Sequence, residues 1–173
     1  MKHTKNILKS LLITVMALSL LAVSCSKDEG GSKPTNPTSI TIDAATITAA
    51  IKMAGSTATI TGATIDFDSL TINEQGKANL TATLSEAITL STLKNELESG
   101  LTFTSGGATA TAKAAANFPT DNSTSTAAVV NISIDAGNNT FADDVKYKDS
   151  KNNKKATVEI TITPADSKKW NNT

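Results

Sequence analysis

One cysteine, Cys25, and one histidine, His3, are the only thiol and imidazole in the 173-residue sequence. A thiolate is a strong nucleophile, and Cys25 stands directly after the small residues Ala22-Val23-Ser24. With a single cysteine there is no disulfide within the chain, and an unpaired thiol in an exported protein requires its own explanation. His3 lies in the extreme N-terminal segment. Everything beyond that segment therefore lacks imidazole, which removes Ser-His-Asp and Cys-His catalysis and every Cys/His zinc site. Carboxylates and lysines are the chemistry that remains. Asp66 and Asp68, two apart on a predicted strand, would project to one face, where Asp43 could help them hold a hard cation. No Asp-rich calcium loop accompanies them, so a solvated strand face is the favoured reading, and Asp143-Asp144 has the same standing. Lys146, Lys148, Lys151, Lys154 and Lys155 surround Tyr147. They offer either an anionic contact or, more simply, charged strand edges that block sheet-to-sheet pairing. No catalytic, cofactor-binding or metal site is assigned, and the chain is not expected to be an enzyme.

Lys2, Lys5 and Lys9 precede the apolar run from Leu11 to Leu21, which ends on Ala22-Val23-Ser24. The run is shorter than the roughly 18 residues of a spanning helix and has no basic stop-transfer cluster after it, so residues 1–24 are a secretory signal peptide. Leu21-Ala22-Val23-Ser24-Cys25 resembles the lipobox of bacterial lipoproteins, with Ala22 where the family prefers Leu. The resemblance implies that the Cys25 thiol receives a diacylglycerol, that the bond before it is cut, and that the new amino group is acylated. In that family an Asp after the cysteine signals inner-membrane retention; the residue here is Ser26, which leaves outer-membrane sorting open. Lys27-Asp28-Glu29 looks like the surface-export tether of Bacteroidetes lipoproteins. Those three charges would equally keep a linker solvated beside the headgroups.

Residues 25–39 contain no large apolar side chain and are rich in Gly, Ser and Pro. They form the lipidated cysteine and a flexible tether, and residues 40–173 form one domain. All 16 basic residues are Lys; three leave with the signal, so 13 Lys face 16 Asp and Glu and the mature chain carries a formal charge of −3. Without a positive field or an arginine fork, nucleic acid is excluded as a partner. Aromatics are 3% of residues, few for a site built on stacking platforms.

The elements that must position these residues follow from periodicity. Ile40-Thr-Ile42, Ile47, residues 58–61, 65–68, 70–72, 80–84 and 101–104 alternate apolar with polar residues, as half-buried strands do. Glu74-Gln75-Gly76-Lys77 reads as a hairpin connection. Residues 91–100 form the one short helix: Ser91 is its N-cap, Leu93 and Leu97 share a face, and Gly100 is the stop. Residues 108–116 alternate Ala with Thr and lean to strand although Ala favours helix. Residues 127–135 and 156–163 are the strongest strands, and Pro164 ends the last. Trp170 has a large area to bury, which favours a capping role over an exposed contact. The fold expected is all-β: an antiparallel β-sandwich, immunoglobulin-like in architecture, with one short helix, or an up-and-down barrel as the second reading.

The function expected is that of a lipid-anchored outer-membrane surface lipoprotein with a structural or interaction role, antigen-like. It is similar to small outer-membrane lipoproteins of Bacteroidetes or intestinal spirochaetes. Its partners would be the membrane, through the lipid anchor, and a host or matrix protein or glycan. The alternative is a module that captures a glycan or divalent cation through loops 117–125 and 137–141. Asn79, Asn122 and Asn131 begin glycosylation sequons, which an Asn/Thr-rich chain produces by chance.

Overall fold

A strand that faces a core on one side and water on the other alternates apolar and polar side chains, and the longest alternating runs of this sequence do form such strands. The structure, a computed structural model, describes residues 39–173; the signal segment, Cys25, Ser26, Lys27, Asp28 and Glu29 lie outside the described residues. In chain order the elements are β1 (Thr41–Ile42), α1 (Ala44–Thr57), β2 (Ala63–Ile65), β3 (Lys77–Leu84), α2 (Leu90–Gly100), β4 (Phe103–Ser105), β5 (Ala108–Ala114), β6 (Ala128–Asp135), β7 (Thr140–Phe141), β8 (Lys148–Asp149) and β9 (Asn152–Pro164). Single 3-10 turns follow β2 and β9, at Phe67–Ser69 and Ala165–Ser167.

Seven strands form one mixed sheet in the order β2-β3-β9-β6-β5-β4, with β8 also paired to β9. Because β6 occupies one edge of β9 opposite Ala156, β8 must lie on the other, in line with β3. The β3–β9 pair is parallel, and its neighbours in the sheet are antiparallel. A separate short pair, β1 with β7, is also parallel. No helix among the described residues is long and apolar enough to cross a membrane.

The register explains the packing. Opposite one another on the buried face stand Ala78, Ile160 and Val130 in one row, and Val158, Ile132 and Ala112 in another. Large residues line the central strands β6 and β9, whereas β5 turns only Ala108, Ala110 and Ala112 inward. That small-residue lane admits α2, which packs against β5 with Leu93 and Leu97 fully buried. The opposite face carries Lys77, Asn79, Thr81, Thr83, Thr157 and Thr163, all exposed. Lys77 and Glu159, register partners on that face, pair at 3.0 Å, a surface contact contributing at most about 1 kcal/mol.

The strand-dominated domain is as expected, but its layering is not that of an antiparallel immunoglobulin-like sandwich with one helix. Such a sandwich needs a second sheet across the core. Among the described residues the sheet is mixed and two helices accompany it, α2 packed on β5 and α1 on the 3-10 turn after β2, on α2 and on the edge strand β4. A strand with one wet face records that its other face is covered, without recording by what. The unexpected helix is α1, which contains Ile47, a residue of the expected strands. Asp43 caps it, its Oδ1 accepting the Thr46 N–H at 2.7 Å, and Ile47, Ala50, Ile51 and Ala54 recur every three to four residues on its buried side. Thr48 and Thr57 tolerate the helix because their hydroxyls donate to the carbonyls of Ala44 and Met53 four residues back.

Smaller departures have local causes. Residues 58–61 and 70–72 form no strand, so residues 74–77 are a turn but not a hairpin. The Asn73 carboxamide oxygen accepts from the amides of Gln75 and Lys77, and Gly76 takes φ +73°. A side chain at Gly76 would also stand 2.6 Å from the Thr157 carbonyl oxygen. The first residue of α2 is Leu90 rather than a residue after Ser91: the capping position is Thr89, and a distant carboxamide, Asn122, accepts the Leu90 N–H.

Candidate functional site

Each acidic candidate is held by a local structural task. Asp66 and Asp68 do not share a strand face: Asp66 Oδ1 accepts the Asp68 N–H at the start of the 3-10 turn, and Asp68 Oδ1 accepts from Ser56 on α1. The strand expected there ends at Ile65. Asp43 and Asp144 meet instead at the N-terminus of α1, where Asp144 Oδ2 accepts the Ala44 N–H at 3.1 Å. Negative groups are favoured at that end of a helix. Hydrogen bonds from Thr46 hold the Asp43 carboxyl below its ordinary pKa. Asp143 pairs with Lys148 at 2.9 Å, which lowers its pKa as well. Among the described residues no three acidic or other ligating side chains converge.

Of the five lysines around Tyr147, three are likewise committed through their amines. Lys148 donates to the Ala142 carbonyl and to Asp143, Lys154 donates to the Gly137 carbonyl, and Lys155 pairs with Asp135 across β6 and β9. Tyr147 lies against Gly76, and its hydroxyl is buried without a hydrogen-bond partner. Burial, with the charge of Asp144 second, pushes its pKa up to about 12 from 10.0. Since this is the only tyrosine, phenolate absorbance reports it alone. Absorbance titration is expected to give a midpoint near 12 in the folded protein and about 10 in concentrated urea. The raised value means that the folded state keeps its proton while the unfolded chain ionises. The tyrosine's contribution to stability should therefore be constant below about pH 10 and decline as pH rises through 12, by no more than about 2 kcal/mol after allowance for partial exposure. A folded-state midpoint at the ordinary value would contradict the burial of this hydroxyl.

Loops 117–125 and 137–141 do not form one site. Asn139, in the second, is buried and structural: its Oδ1 accepts the Ile40 N–H and its Nδ2 donates to the Gly106 carbonyl. It thereby fastens the strand that begins the domain to the turn before β5. The first loop lies beyond the other end of β5, roughly 20 Å away by strand rise.

That first loop borders a cleft of about 840 Å³, within the range of about 300–1,000 Å³ usual for small-molecule sites. Thr89, Ser91 and Lys94 from the start of α2 form one wall. Ala114, Ala115, Ala116, Phe118 and Pro119 supply apolar surface, and Thr120 and Asp121 complete the rim. The loop's shape is fixed by its own bonds. Asp121 Oδ1 accepts from the amide and hydroxyl of Ser123, which holds its carboxyl below the ordinary pKa. The Asn122 carboxamide accepts from Leu90, and its carbonyl accepts from Asn171. Trp170 closes the loop from behind: its amide donates to Thr124 and its indole Nε1 to the Thr126 carbonyl at 2.8 Å. The side chain is fully buried, so it caps the core and is not an exposed contact. Loop 117–125 was legible as a candidate from its polar composition; Thr89, Ser91 and Lys94 were not, because nothing local in a sequence says which loop a helix start will face.

No family model, no curated protein and no solved structure matches the chain.

Proposed function

We propose that this chain is a lipid-anchored outer-membrane lipoprotein whose domain makes contacts at the cell surface rather than performing catalysis, an antigen-like role. The observation that carries this reading is the single thiol, Cys25, placed directly after the apolar run and small residues of a signal segment. Acylation explains an otherwise orphan cysteine. Each buried CH2 of an acyl chain contributes about 0.8 kcal/mol, and two or three chains exceed what stable anchoring requires. A contact role is supported by the absence of imidazole and free thiol from the lipidated mature chain and by the engagement of Asp43, Asp66, Asp68, Asp143 and Asp144 in caps, an ion pair and a side-chain hydrogen bond. The cleft beside α2 favours a second reading, in which the contact is with a small ligand.

Labelled palmitate is expected to enter the wild-type protein and not Cys25→Ala, which should leave the membrane fraction. Label retained by Cys25→Ala, or a mature chain whose intact mass shows an unmodified thiol, would overturn the anchor. Protease added to intact cells is expected to release the domain by cutting within residues 30–39. Replacing Lys27, Asp28 and Glu29 with Ala should abolish that release and keep the lipid. Full protection of the wild type until the membrane is ruptured would place the domain on the periplasmic side.

A further inference from the structure

The geometry of the cleft points to a neutral saccharide as its ligand, and we propose that the domain binds a short neutral oligosaccharide there, between the first turn of α2 and loop 117–125. The inference rests on the reading of this domain as a contact module, but not on its lipid anchor.

Three properties of the cleft select this class. The first is preorganisation. The loop's inner groups, Asp121 Oδ1, the Asn122 carboxamide and the Thr124 and Thr126 carbonyls, are engaged in bonds that hold its shape, so little ordering cost remains for a ligand to meet. The second is the set of groups left over at the surface. Thr89, Ser91, Lys94, Thr120 and Asp121 line the cleft, and their hydroxyls, the lysine amine and the second Asp121 carboxylate oxygen are not used by the loop's own bonds. Mixed donors and acceptors around a rim suit the vicinal hydroxyls of a sugar, while Ala115, Ala116 and the half-buried Phe118 provide an apolar surface for its C–H face.

The third property is electrostatic, and it decides against an anion. A helix start attracts phosphate or carboxylate through free N–H groups, but here those groups are mostly occupied. Leu90 donates to Asn122, and Thr92 and Leu93 donate back to the Thr89 carbonyl, leaving Ser91. Asp121, kept ionised by Ser123, adds a negative charge on the same rim. An acidic ligand would meet Lys94 and the nearby charge of Lys169, but also the opposing Asp121 carboxylate, which Lys169 already serves. A neutral, polyhydroxylated ligand uses both Lys94 and Asp121.

The test is saturation-transfer NMR on the full-length protein in a detergent without a sugar headgroup. The probes are neutral and N-acetylated di-, tri- and tetrasaccharides, uronic and sulfated saccharides of the same lengths, and a pool of short peptides. Neutral members are expected to bind. Phe118→Ala should weaken them about tenfold, the loss of one well-placed ring contact, with Phe118→Tyr restoring affinity. Asp121→Asn, which keeps the oxygen that receives Ser123, should weaken them severalfold without changing the thermal midpoint. Binding confined to acidic saccharides or peptides, and lost with Phe118→Ala, would overturn the neutral-sugar assignment while leaving the cleft as a contact site. Binding by no member would overturn both. Neutral-sugar binding that survives both substitutions would remove the ligand from this cleft.

Discussion

Trp170→Ala is expected to remove about 3–5 kcal/mol from the stability of the domain, the range for deleting a buried large aromatic. Against a total of about 5–15 kcal/mol for an ordinary domain, that would leave it marginal at 37 °C. Trp170 is fully buried and heads the largest buried side chains. It also ties the C-terminal segment to two distant ones by three bonds: its carbonyl accepts from Ile88 before α2, its amide donates to the Thr124 carbonyl, and its indole donates to the Thr126 carbonyl. Removing the ring leaves a cavity and an unpaired carbonyl at Thr126 together. Trp170→Phe separates the two, because it keeps much of the packing and loses the indole bond, about 1 kcal/mol. Urea denaturation followed by circular dichroism measures both, since the substitutions delete the only tryptophan. A loss below about 1 kcal/mol for Trp170→Ala would mean that the ring is not the plug described here. The same variant should weaken ligand binding in the cleft, because the ring supports loop 117–125 from behind.

Gly55→Ala is expected to destabilise the domain, against the direction that helix propensity alone gives. In the interior of α1, replacing Gly by Ala should gain about 1 kcal/mol. The added Cβ, however, would stand 2.1 to 2.7 Å from three ring atoms of Phe67, and Phe67 is itself almost fully buried at 2% exposure. The flexible-tip escape is closed, since the contact falls on the ring's attached end and its neighbours. Overpacking of this kind costs about 1–3 kcal/mol or more, so the net change should be a loss. Gly55→Ala combined with Phe67→Leu should cost less than the two single losses added, the coupling expected of residues in contact. Thermal midpoints of the four proteins give the answer, and a rise for Gly55→Ala alone would show that α1 is not pressed onto the 3-10 turn.

The strands and their wet face were determined by the sequence itself. In β3, β5, β6 and β9, Thr, Asn, Ser and Lys alternate with apolar residues, and a period of two allows only one assignment of faces. Leu93 and Leu97 on α2, and Pro164 at the end of β9, were equally local signals. What covers the sheet was not local. Ile40-Thr-Ile42 and, after an interruption at Asp43-Ala44-Ala45, Ile47 alternate with Thr as strands do, and the Asp43 cap with Ile47, Ile51 and Ala54 behind it competes as a helix signal within the same residues. Tertiary burial decided for α1, by giving those four-residue spacings the 3-10 turn at Phe67, α2 and the edge strand β4 to pack against. The Ala residues of β5 show the same division: the sequence marks them as strand, and only the approach of α2 explains why they are small. The cleft, finally, depends on Thr89, Ser91 and Lys94 meeting a loop some thirty residues later. That meeting is fixed by Asn122 at the first amide of α2 and by Trp170 behind the loop, contacts across 32 and 44 residues, which no period or motif within either segment records.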